Sequence, residues 1–148
     1  MGRVSEPIDP RIRELLAGPN YAHVATIGRD GAPRNTAVWI HHEGDLAVIY
    51  KETSAVALAN LRRDPRMSIS MIAFDNPYLG CTIRGRAVAF EGEPEARHWL
   101  SARSFEYTGV DMPAQLTPAE GVLIKIGVDN QSWHHFEQTH RGVTGSSA

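Results

Sequence analysis

The sequence predicts a mainly β protein: an antiparallel barrel of six or seven strands with short helices at three points. Three observations predict it. Runs of strand-forming residues follow one another as a meander, with few long helical segments between them. Asp30-Gly31 and Glu43-Gly44 place tight-turn dipeptides between the first three runs. No βαβ spacing separates those three, which excludes a parallel sheet there.

Taken in order, Asp9-Pro10 before "RIRELLAG" supplies an N-cap, a proline at the first helical position and Gly18 as a stop. "AHVATIG", "NTAVWIH" and "LAVIYK" are the first three strands. A helix follows, capped by Thr53 or Ser54 and ended by Asp64-Pro65, since the residue before proline is pushed out of the α region. "RMSISMIAF" alternates, with Met67, Ile69 and Met71 on one face. After the loop "DNP", "YLGCTIRGRAVAF" is a long strand in which Gly85 marks a bulge or bend. "EPEARHWLSARSFEYTG" is helical up to Gly109, and "GVLIKIGV" and "QSWHHFE" are the last strands. Residues 1–140 read as one domain, and the small polar residues 141–148 as a mobile tail.

Composition narrows the function. A chain of 148 residues buries roughly 70% of its unfolded surface. Its formal net charge of −2 offers no broad basic field for nucleic acid. No apolar run approaches the ~20 residues that span a bilayer, and no signal-peptide pattern opens the chain. The start "MGRVSE" carries its serine one position too early for myristoylation. A single cysteine, Cys81, excludes an internal disulfide and fits a reducing compartment, so a cytoplasmic protein is expected.

Most familiar chemistries are missing. Adjacent histidines on a strand point to opposite faces, so His41-His42 and His134-His135, even with His140, do not suggest a converging metal site. There is no G-x-S-x-G elbow, dinucleotide fingerprint or Walker loop, and Cys81 sits in an apolar strand as a small buried residue would. What remains is basic. Lys51 precedes the second helix, Arg62, Arg63 and Arg66 cluster at its end, and Arg84 and Arg86 lie on the long strand. Those arginines suit a helix C terminus beside Asp64, or a ligand.

Four stretches in order, "VATIGRDGAPRNTAVWI", "NLRRDPRMSISM", "NPYLGCTIRGRAVAF" and "YTGVDMP", resemble the pyridoxamine 5′-phosphate oxidase-like split-barrel flavin and deazaflavin oxidoreductases. The likeness runs from about Tyr21 to Trp133 and is nearest to the small enzymes that use coenzyme F420. It implies a split β-barrel (FMN-binding-like) and a homodimer with cofactor clefts between subunits. The ring would lie along Thr36, Ala37, Val38 and Trp39 and along Tyr50, Lys51, Glu52 and Thr53. Ala57 and Asn60 would come from the helix, and Tyr78, Arg84 and Tyr107 from the partner's side. Trp39 suits a cofactor wall or the core equally.

The chain departs from that family in one place. Relatives usually carry a phosphate-facing lysine where this chain has Ala57, and Val56 stands at a position often basic in the flavin-using branch. Losing a charge-assisted contact costs about 1.5–3 kcal/mol, or roughly ten- to a hundredfold in affinity. Lys51, an arginine or the free amides at the helix start would have to compensate. The resemblance implies hydride transfer between reduced F420, or FMN, and a small organic acceptor. An FMN-dependent pyridoxamine-phosphate-oxidase-like enzyme, and a non-catalytic cofactor- or haem-binding protein on the same scaffold, are the alternatives. Tyr50, Tyr78 and His41 are candidate proton donors, and no catalytic residue is assigned.

Overall fold

The computed structural model describes residues 5–111, 120–139 and 142–147. Its elements are α1 (Pro10–Ala17), β1 (Ala22–Ile27), β2 (Pro33–Val38), β3 (Ile40–Glu43), β4 (Leu46–Glu52) and α2 (Val56–Arg63), then β5 (Arg66–Ala73), β6 (Asn76–Glu91), α3 (Glu95–Thr108), β7 (Gly121–Thr139) and β8 (Gly142–Ser147). Seven strands form one sheet in the order β2-β1-β5-β6-β7-β4-β3, and β8 pairs with β7. Every pairing is antiparallel.

The two ends of that order, β2 and β3, are consecutive in the chain. The expected second strand is therefore two. Its first half pairs with β1 and its second with β4, so the backbone must turn where it changes partner, at Trp39. This step closes the sheet as a barrel and leaves β2 and β4 facing each other without a ladder. That gap is the split.

Both turns form as predicted, with Gly31 and Gly44 at φ of 84° and 59°, values that glycine adopts without steric cost. Asp9 caps α1 by accepting from the Arg11 N–H at 2.9 Å. The expected Thr53 or Ser54 cap does not form. α2 starts one residue later, behind Ala55, whose side chain has no oxygen to offer, and the Thr53 N–H is bonded to the Glu120 carbonyl instead. The two last strands are one, β7. The polar run through Asp129 is absorbed as an irregularity where β6 shifts register between Arg84 and Gly85. Residues 142–147, read as a tail, form β8 on the end of β7, since ladder bonds need no apolar side chains.

The core fills the barrel. Met67, Ile69 and Met71 of β5 are buried with Ile83, Ile124 and Ile126 opposite, each worth about 1.5–3 kcal/mol. Ile12 and Leu16 of α1 and Leu58 and Leu61 of α2 join the same core. Cys81 is 1% exposed and burial pushes its thiol up to about 12, so it packs rather than reacts. Among the described residues no helix is long and apolar enough to cross a membrane.

Candidate cofactor cleft

The split holds a cavity of about 330 Å³ walled by Ala37, Val38 and Trp39 of β2 and its turn, Tyr50 and Lys51 of β4, and Trp99 of α3. Its size lies at the low end for small-molecule sites. Two strand edges open on it. β2 is laddered only to β1, and β3 ends opposite Ile49, so Tyr50, Lys51 and Glu52 have β7 on one side and no strand on the other. Backbone N–H and C=O groups along such edges are fixed donors and acceptors for a ligand.

Lys51 reaches over the gap, and its ammonium donates to the Thr36 hydroxyl at 3.2 Å. Among the described residues no carboxylate pairs with it. Burial, and then the charge of Arg34, hold its pKa below the usual 10.5. Tyr50 is half-buried, and desolvation followed by the Glu93 and Glu52 carboxylates raises its phenol above 10.0, which keeps the hydroxyl protonated as a donor. Trp39 stacks on Tyr107 with ring centroids 5.1 Å apart, and Tyr21 meets Tyr107 edge-on at 5.3 Å. The Tyr107 hydroxyl donates to the Asn20 carbonyl at 2.7 Å and accepts from the Ile40 N–H at 3.1 Å. Tyr107 thus braces its own chain at the Trp39 bend.

A second hollow, of about 560 Å³, opens beside the start of α2. Arg29 and Arg34 from the β1–β2 hairpin and Arg63 from α2 line it with Thr53 and Ser54. Arg63 is held by the Ile27 carbonyl at 2.8 Å and the Asn60 side-chain oxygen at 2.9 Å. Asn60 is 3% exposed and also donates to Thr26 at 3.1 Å, so it aims an arginine and ties α2 to β1. The charge of Arg34, which lines the basic hollow, acts on Lys51 in the aromatic cleft.

The structure therefore brings Thr36, Ala37, Val38, Trp39, Tyr50 and Lys51 together, and sets Thr53 and Asn60 at the second hollow. Glu52 is exposed at the end of β4. Ala57, expected at the phosphate end of the helix, is 4% exposed on α2. Tyr78 and Arg84, on β6, line separate hollows and do not reach this chain's own cleft. His41 stacks on His42 and does not line the cleft, and burial lowers its pKa below 6.5. Among the arginines of α2's end, Arg66 pairs with Asp64 at 2.7 Å and Arg62 lies over Phe90 at 4.5 Å, as a helix-end role requires. Among the described residues no three His, Cys, Asp or Glu gather to hold a metal. His140 and the end of "YTGVDMP" lie outside the described residues.

Sequence reasoning missed Trp99, whose helix has no clear apolar stripe, and it missed the hairpin arginines, which look like ordinary turn charges.

Residues 8–130 match the family model described as pyridoxamine 5′-phosphate oxidase. The chain belongs to that family. Its fold is the split barrel of these flavin-type oxidoreductases. An F420 reductase is similar to the chain at 27% identity and a TM-score of 0.70, over 81% of this chain and 94% of its own. A conserved hypothetical protein from Mycobacterium tuberculosis is 25% identical with a TM-score of 0.66, over 88% of this chain and 87% of its own. General Stress Protein 26 from Bacillus anthracis, 14% identical with a TM-score of 0.61 over 83% and 90%, shares the fold. Comparison with curated proteins gives no significant match.

Proposed function

We propose that this chain is an oxidoreductase that holds coenzyme F420 in the split and moves a hydride between its reduced form and a small organic acceptor. The observation that carries this reading is the cleft: two open strand edges, aromatic walls, and one ammonium without a carboxylate partner. The residues present fit the group. A flat ring suits an apolar slot between Trp39, Tyr50 and Trp99, where aromatic faces stack offset. Lys51 would neutralise charge on the ring side, and Arg29, Arg34 and Arg63 would hold a phosphate-bearing tail.

The chemistry that such a group supplies when bound is hydride transfer. The chain's part is to orient the ring on backbone edges, exclude water with Trp39 and Trp99, and offer the Tyr50 hydroxyl as a proton-bearing group. FMN would use the same slot. The breadth of the basic hollow favours the cofactor with the longer anionic tail, which F420 has. In this reading the hairpin arginines would supply the charge that a helix lysine would otherwise bring.

We place the working unit as a cytoplasmic homodimer, in which Tyr78 of the partner subunit and Arg84 of the partner subunit approach the cleft. The test is anaerobic single turnover. Reduced F420 and reduced FMN are each mixed with the protein and a panel of small conjugated acceptors, and absorbance follows cofactor oxidation. Protein-dependent oxidation of F420 is expected. Oxidation of FMN alone would move the reading to an FMN enzyme, and tight binding without oxidation by any acceptor would make the chain a cofactor carrier.

A further inference from the structure

We infer that Gly121 is a positioning residue that keeps the cleft open by leaving room, as a seat, for the outer edge of the Tyr50 ring. The consequence for ligand binding rests on the cofactor reading above; the seat itself does not. Gly121 opens β7 and pairs with Glu52, so it is the diagonal cross-strand neighbour of Tyr50, which pairs with Leu123. The ring leans along the sheet onto the glycine. A Cβ added there would overlap Cε2, Cζ and Oη of Tyr50, and the three nearest atoms all belong to that ring. Gly121 is not among the glycines with positive φ, so alanine meets no backbone strain at this position. The demand is for space alone.

The seat is fixed on both sides. The Gly121 N–H donates to Oε1 of Glu93 at 3.0 Å, and the other oxygen of Glu93 accepts from the Arg97 N–H at 3.0 Å. One carboxylate thus joins the start of β7 to the first turn of α3, the helix that carries Trp99. Tyr50 and Trp99 pack on the same small cluster of Val48, Ala96 and Leu123, and both line the cleft. Tyr50 pairs with Leu123 of the strand that carries Gly121, so a ring displaced from Gly121 moves off β7; with Trp99 on the slot's other wall, the space between the two narrows. Gly121 therefore sets the clearance between the two aromatic walls, and with it the thickness of ligand admitted.

The test compares wild type, Gly121→Ala, Tyr50→Leu and the double variant, because leucine lacks all three overlapping atoms. In the unliganded wild type the Gly121 Hα protons should show cross-relaxation to the Tyr50 ring, and Tyr50→Leu should abolish it. In Gly121→Ala the Tyr50 ring should gain cross-relaxation to Trp99, and dissociation constants for FMN and F420 should rise at least tenfold. In the Tyr50→Leu background the same glycine change should alter them less than twofold. Should Gly121→Ala melt too low for titration, recovery of the melting temperature in the double variant supports the seat. Absence of cross-relaxation between Gly121 and the Tyr50 ring in the wild type, or an equal penalty with and without that ring, would overturn it. A wild type that shows the Gly121–Tyr50 cross-relaxation but binds neither cofactor would keep the seat and reject the cofactor reading.

Discussion

The ammonium of Lys51 donates to the hydroxyl of Thr36 at 3.2 Å, across a gap between β4 and β2 that no backbone ladder bridges. A neutral hydroxyl is a weak partner for a half-buried cation, so the site retains electrostatic capacity for an anion. Replacing Lys51 with methionine keeps most of its volume and removes the charge. We expect the melting temperature to change little and the dissociation constant for F420 to rise ten- to a hundredfold, the equivalent of about 1.5–3 kcal/mol. Unchanged affinity in the folded variant would place the anion elsewhere.

The same lysine gives binding a pH dependence. Burial and the charge of Arg34 disfavour its protonated form, so the ammonium loses its proton below the usual 10.5. Affinity for an anionic cofactor should therefore decline as pH rises through that lowered value. Lys51→Met should flatten this part of the profile. Without ligand the sign reverses: the unfolded chain holds the proton more tightly, so this residue makes stability rise with pH up to the unfolded lysine value.

Ala57→Lys should not tighten binding. Ala57 is 4% exposed, and enlarging a packed position typically costs 1–3 kcal/mol, roughly. A lowered melting temperature with no gain in F420 affinity is expected in thermal denaturation and titration run side by side. A folded variant that binds tenfold tighter would show that α2 turns this face to the phosphate after all.

Arg34 is exposed, and screening limits what it contributes. Arg34→Ser should weaken F420 binding about three- to tenfold at low salt and much less in half-molar salt. An equal loss at both salt concentrations would contradict a screened, open site.

The barrel was legible because its signals are local. Gly31 and Gly44 fix two hairpins, Met67, Ile69 and Met71 show period two, and Gly85 sits at a register shift, as its lack of a side chain suggested. The break at Trp39 was not legible, because "NTAVWIH" has uniform strand propensity and the bend is imposed by partners distant in sequence. The lack of a basic residue at Val56 and Ala57 was visible, but the arginines around the start of α2 were not. Arg29 and Arg34 reach the helix start only because the β1–β2 hairpin folds over it, while Asn60, an ordinary helix residue in sequence, pins Arg63. The wall from α3 was equally hidden, since Trp99 and Tyr50 are about fifty residues apart in sequence and come together only by packing on the same cluster of Val48, Ala96 and Leu123.

The central claim is that the split between β2 and β4 is a cofactor cleft with Lys51 as its cation. The most direct measurement is a fluorescence titration of the purified wild-type chain and Lys51→Met with F420, with FMN and haem titrated separately as competitors. Saturable one-to-one binding of F420 per chain, tighter than FMN and haem and weakened at least tenfold by Lys51→Met, is the predicted result. A folded wild-type chain that binds neither F420 nor FMN, or binds F420 equally well without the lysine charge, would contradict it.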